Sequence, residues 1–217
     1  IINTPNNPTG VIYSDETLTR LADILRAKSA ELGTEIVLIS DEPYRELAYG
    51  GVEVPFVTKY YHNAVVGYSY SKSLSVPGER IGYVVIPDEV DDSAALIGAA
   101  TIANRVIGCV NAPSLIQKVI KYCIEHEVTV DLETYEKNRN LIYGALTEYG
   151  FTCAKPDGAF YLFVKSPVAY LLCIKLADRH FLAYGVYPVV KVFLYLLDFL
   201  AQGKTGPFPG RYFVGGY

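Results

Sequence analysis

Among its 217 residues the chain has no methionine and no tryptophan, and its three histidines, His62, His126 and His180, stand far apart. Isolated histidines give no zinc-ligand spacing, so the expected metal content is none. The four cysteines, Cys109, Cys123, Cys153 and Cys173, form no C-x-x-C pair. They read as small apolar residues of a reducing compartment rather than as disulfide or metal partners. A formal net charge of −4 implies no basic face, which argues against a nucleic-acid partner. No apolar run reaches the roughly 18 residues that a membrane helix needs, which leaves no expected membrane partner. No targeting pattern stands in the opening IINTPNN, and there is no internal repeat or low-complexity tract. The expected location is therefore cytoplasmic. A chain of this size ordinarily carries a few methionines and begins on one, so this one reads as a fragment of a longer protein.

What is present is ample for a core, with 51% hydrophobic and 19% charged residues. IVLIS (Ile36–Ser40), AVVGYS (Ala64–Ser69) and IGYVVIP (Ile81–Pro87) are short continuous apolar runs, as in strands buried on both faces of a parallel sheet. Between the opening loop and the first run, Leu18, Leu21, Ala22, Leu25 and Leu32 recur at helical spacing, with Ser29 on the same face. Ser14 suits the N-cap, Asp15 and Glu16 the first turn, and Gly33 the stop. Residues 91–127 read as helical with a break at NAPS (Asn111–Ser114), and Tyr135–Tyr149 as a further helix ending at Gly150. GFTCAKPDGAFYLFVKS then reads as two strands around a Pro-Asp-Gly turn. The fold class is α/β. Residues 1–110 would be the C-terminal part of a large, mostly parallel-sheet domain, and residues 111–217 an interdomain helix and a smaller α+β domain. After Pro167 the apolar runs are weakly periodic.

The unusual polar residues cluster where strands end. Asp41 follows IVLIS directly, Ser69 and Lys72 follow AVVGY, and Asn7 lies just after the opening IIN. In open α/β sheets the carboxyl edge is where ligands bind. A lone Lys72 would be an ordinary solvated side chain. Beside Ser69, Ser71, Ser73 and Arg80, however, it matches a phosphate site next to a nucleophilic amine. Asp41 either starts a turn or holds a pyridinium nitrogen in its protonated form. Tyr44 and Asn7 either serve turn chemistry or hydrogen-bond a phenolate.

Taken together, PNNPTG (Pro5–Gly10), DEPY (Asp41–Tyr44), SYSKSLSVPGERIGY (Ser69–Tyr83), NAPS and PDGAFYLF (Pro156–Phe163) resemble the fold-type I pyridoxal-phosphate-dependent aminotransferases. The likeness is to the class I/II, aspartate-aminotransferase-like group, and covers Ile1 to about Ser166. It implies Lys72 as the Schiff-base lysine that also shuttles the proton between substrate Cα and cofactor C4′. It further implies Ser69 and Arg80 on the phosphate, Asp41 on the pyridine nitrogen, and Asn7 and Tyr44 on the ring oxygen O3′. Asn7 would also face substrate. The family's last strand reads aromatic-Arg-apolar, with the arginine on the substrate carboxylate. In PFPGRYFVGGY that position is Val214, leaving Arg211 as the candidate. The resemblance implies an α-amino acid and a 2-oxo acid as substrates and a homodimer as the assembly. Alternatives on the same fold are a β-lyase or synthase, or a non-enzymatic ligand-sensing domain of a regulator.

Overall fold

The computed structural model describes residues 1–165 and the strand at 189–193. The first sheet has the order β1 (Ile2–Asn3), β2 (Leu38–Asp41), β3 (Ala64–Ser69), β4 (Gly82–Val85). β1, β2 and β3 pair in parallel, with Ile2 opposite Ser40 and Leu38 opposite Ala64. Helix α1 (Asp15–Leu32) is the crossover between β1 and β2. Its start is set by Ser14, whose side chain accepts from Thr17 N at 3.2 Å, and its end by Gly33 in the left-handed region. Leu18 and Ala22 pack with Leu38, Val57, Tyr61, Ala64 and Val66 to form the core beneath the sheet, flanked by Leu21 and Leu25. Leu32, expected on this buried face, is 63% exposed. It is the last residue of the helix, directly before the Gly33 stop, and the buried Ser29 ties the turn that follows: its carbonyl accepts from Gly33 and Thr34, and its hydroxyl accepts from Ile36 N.

Burial on both faces holds for β3 but not for its neighbours. On β2 residues alternate, Leu38 and Ser40 inward and Ile39 and Asp41 outward. β4 runs antiparallel to β3, with Ser69 opposite Gly82, and all four of its residues are exposed. The expected third strand of a parallel set is therefore an antiparallel one. The link from β3 holds only the one-turn helix α2 (Tyr70–Ser73) and a 3₁₀ turn at Pro77–Glu79. That is too little to carry the chain back to the start of the sheet, as a parallel return requires.

Helices α3 (Ser93–Val106) and α4 (Ser114–Glu125) leave the expected break at NAPS between them. α5 (Leu132–Glu148) begins three residues before the expected Tyr135, because the Asp131 carboxylate caps it by accepting from Thr134 N at 3.1 Å. It covers the second sheet, β5 (Thr152–Cys153), β6 (Tyr161–Lys165) and β7 (Val189–Phe193), all antiparallel, through Ile142, Leu162 and Val164.

Pro156–Gly158 does not close a tight hairpin between β5 and β6. It docks on the first sheet's loops instead. Asp157 N and Gly158 N both donate to Gly10 O at 2.9 Å, and Tyr49 N donates to Asp157 O at 2.8 Å. Arg139 of α5, buried over the Tyr49 ring at 4.4 Å, donates to Pro156 O at 2.9 Å and pairs with Glu136. Gly10 sits at φ +71, and a Cβ there would lie 2.2 Å from Pro156 Cβ. Gly10→Ala should therefore cost about 2–4 kcal/mol, combining left-handed backbone strain with overpacking. Urea denaturation of the complete protein reads this directly, and an unchanged midpoint would contradict the docking.

Candidate active site

Because β1, β2 and β3 run the same way, their carboxyl ends bring Asn7, Asp41 and Ser69 to one edge. Asn3, which the sequence alone did not single out, ties this edge together. Its side chain donates to Asp41 O at 2.8 Å and to Asp41 Oδ2 at 3.4 Å, and accepts from Asn7 N at 2.5 Å. The Asp41 carboxylate has no cationic partner among the described residues, and burial raises its pKa.

Tyr44 follows on the turn after β2 and is buried, its ring edge-on to Phe160 and Tyr161. Its hydroxyl lies 2.6 Å from that of Tyr161. Burial raises the Tyr44 pKa, hydrogen bonds from Tyr161 and Asn7 work the other way, and the charge of Asp41 adds to the rise. Asn7, Asp41 and Tyr44 thus share one electrostatic neighbourhood. Phe160 and Tyr161 belong to it as well. Both lie in the PDGAFYLF string, which carries the resemblance without singling out either ring for the site.

Lys72 projects from α2 with its ammonium 5.4 Å from the Phe160 ring centroid and 5.9 Å from that of Tyr44. It makes no hydrogen bond or ion pair with the described residues. The ammonium is half-buried and faces aromatic rings, with no carboxylate against it among the described residues. Ser69 caps α2, accepting from Ser71 N at 3.2 Å, and its hydroxyl is 2.7 Å from Ser71 Oγ.

Arg80 returns beside Ser69 through the antiparallel pairing of β3 and β4, with Tyr70 N donating to Ile81 O at 3.2 Å. The pairing needs Gly82, where a Cβ would stand 2.2 Å from Tyr68 O. Arg80 holds φ 51, ψ 47, a left-handed conformation that costs a non-glycine residue about 1–3 kcal/mol. Its exposed guanidinium donates to Pro77 O at 2.9 Å and pairs with no carboxylate among the described residues. Arg211 and Val214 lie outside the described residues.

His62 is isolated in the sequence but not in space. Its ring nitrogen is 3.4 Å from Asp91 Oδ2, and Glu35 completes a trio of exposed groups whose ligand-type atoms lie within 4.8 Å of one another. The buried Asn63 already donates to both carboxylates, at 2.7 Å to Asp91 and 3.3 Å to Glu35.

The family model described as Aminotransferase class I and II matches residues 1–189. The chain belongs to the class I and II aminotransferases. That family is pyridoxal-phosphate-dependent, and the match runs past Ser166, where the motifs alone end. Aspartate aminotransferase of Bacillus subtilis is 31% identical over 185 residues, covering 80% of this chain and 43% of that one. Among solved structures, an amino transferase from Eubacterium rectale superposes with a TM-score of 0.81 at 49% identity, over 89% of this chain and 50% of that chain. Aspartate aminotransferase of Thermotoga maritima gives 0.64 at 29% identity, over 82% and 44%. The chain thus spans about half, or somewhat less, of the length of these relatives. No helix among the described residues is long and apolar enough to cross a membrane.

Proposed function

We propose that the complete protein is a pyridoxal-phosphate-dependent aminotransferase that moves an amino group between an α-amino acid and a 2-oxo acid. The observation that carries this is the placement of Lys72: an ammonium with no partner among the described residues, against the rings of Phe160 and of Tyr44, which itself shares its surroundings with Asp41 and Asn7 at the carboxyl edge of a parallel sheet. The residues fit the cofactor. The Asp41 carboxylate, short of a cation, suits a protonated ring nitrogen, and Asn7 and Tyr44 suit its phenolate oxygen. Ser69 and Arg80 suit its phosphate. When bound, pyridoxal phosphate supplies the electron sink for charge at the substrate Cα.

The chain's own contributions follow from position. Ser69 and Arg80 would hold the phosphate. Asp41 holds a proton on the ring nitrogen. Lys72, as a free amine, takes the Cα proton and returns it. The Phe160 and Tyr44 rings restrict water on the Lys72 side. Residues 1–110 would belong to the large domain and 111–217 to the interdomain helix and small domain. A cytoplasmic homodimer is the expected form, and the apolar side chains that α3 leaves exposed, Ile97, Ile102 and Val106, suit an interface.

An amino-donor scan with 2-oxoglutarate, reading the 2-oxo acid formed, tests the reaction. No transfer from any common α-amino acid would refute it. Arg80→Ala should loosen pyridoxal phosphate about tenfold to a hundredfold, the worth of a charge-assisted contact to phosphate. It should change turnover less at saturating cofactor. Fluorescence titration gives the affinity, and an unchanged Kd would remove Arg80 from the phosphate site.

A further inference from the structure

We propose that Glu46 is a positioning residue for Lys72, acting through Tyr68 and Ser73 from the side of α2 away from the cofactor residues. The inference rests on Lys72 being the reactive amine. α2 has four residues, and a single helical turn is a weak, non-cooperative unit that needs tertiary ties to hold its orientation. Ser73 follows Lys72 directly and is buried. Successive helical residues are about 100° apart around the axis, so fastening Ser73 sets the direction in which Lys72 leaves the turn.

The fastening is a directed chain. The Tyr68 hydroxyl is 2.8 Å from Ser73 Oγ and 2.6 Å from Glu46 Oε1. An ionised carboxylate only accepts, so Tyr68 gives its single proton to Glu46 and accepts from Ser73. The phenol itself is held by its strand and by neighbouring rings. Tyr83 stacks on it at 4.9 Å, and Tyr70 meets it edge-on at 5.2 Å.

The second oxygen of Glu46 is buried and has no hydrogen-bond partner among the described residues. It borders a cavity of about 130 Å³ lined also by Tyr68, Tyr70, Ser73, Cys123 and Thr129. Burying half of a carboxylate without a partner is unfavourable, and a stable fold alone would favour a glutamine or an apolar residue here. A carboxylate is the stronger acceptor for a phenol, and it polarises the whole chain toward itself. The unfavourable burial is thus retained beneath the one turn whose orientation decides where the amine points.

The test uses the complete, cofactor-loaded enzyme with Glu46→Ala, Glu46→Gln, Tyr68→Phe and Ser73→Ala. Positional errors near 1 Å cost up to about a hundredfold in rate, so Glu46→Ala and Tyr68→Phe should lower kcat about tenfold to a hundredfold. KM and cofactor Kd should stay within about twofold, because neither residue touches ligand. The pH midpoint of the bound cofactor's visible absorbance should shift in both variants, and Glu46→Gln, which keeps an acceptor, should recover part of kcat. Tyr68→Phe and Ser73→Ala are small changes that keep the test open should Glu46→Ala fail to fold. Borohydride reduction of the wild type, followed by peptide mapping, separates the two readings. A label on a lysine other than Lys72 overturns both. A label on Lys72, with kcat and midpoint unchanged in the variants, overturns the role of Glu46 alone.

Discussion

Lys72→Ala should abolish amino-group transfer in the complete, cofactor-supplemented protein, lowering kcat by at least about 10⁴-fold. A positioned acid–base group alone contributes about 10²–10⁴, and in the proposed reaction the same amine would also be the nucleophile toward the cofactor aldehyde. The surroundings support one amine in both roles. Lys72 has no carboxylate partner among the described residues, it faces the rings of Phe160 and Tyr44, and it leaves a turn whose cap is Ser69. Cofactor affinity should fall less than turnover, since Ser69, Arg80 and Asp41 remain. Stopped-flow and steady-state assays with a competent amino donor decide the matter. A variant within tenfold of wild type would remove Lys72 from the chemistry.

Asp41→Ala should retain cofactor and lose about 10²–10³ in turnover, the usual consequence of removing one preorganised charge from a reacting centre. The same substitution separates function from stability. Burial raises the Asp41 pKa in the cofactor-free fold, so the folded state binds this proton more tightly than the unfolded chain does. By linkage, the ionised carboxylate is a burden above the raised pKa, and stability falls as pH rises through it. Asp41→Asn should therefore leave the cofactor-free protein slightly more heat-resistant near neutral pH and no more so below about pH 3, where the wild-type carboxyl is also neutral. Differential scanning calorimetry at the two pH values checks the sign. A cofactor-free Asp41→Asn that melts lower at neutral pH would show that the ionised carboxylate stabilises the fold rather than burdening it.

The likeness of the chain to its family rests on local strings, and these were legible because each has a local cause. α1 declares itself through Ser14, two acidic residues and Gly33, and the structure keeps those bounds. Asp41 and Ser69 stand out because a polar residue ends an apolar strand. β4 misled because IGYVVIP has the composition of a buried strand, while direction and exposure depend on the length of the preceding link and on what lies alongside. Leu32 misled because its helical phase is right but it stands on the last residue of the helix, directly before the Gly33 stop, where the side chain stays exposed.

The sequence by itself determined most of the elements between Ile1 and Lys165, though not the one-turn helix α2, which residues carry reactive or charged groups, and that Asp41 and Ser69 end strands of a parallel pair. These follow from periodicity, caps and side-chain chemistry within a few residues of each other. Only the tertiary structure decided that Tyr44 meets Tyr161 across 117 residues, that Pro156–Gly158 seats on Gly10, that His62 joins Glu35 and Asp91, and that Glu46 accepts from the Tyr68 hydroxyl. Such contacts join residues far apart in the chain. Their partners are selected by how the sheets and helices of the described residues pack, and no local propensity records that.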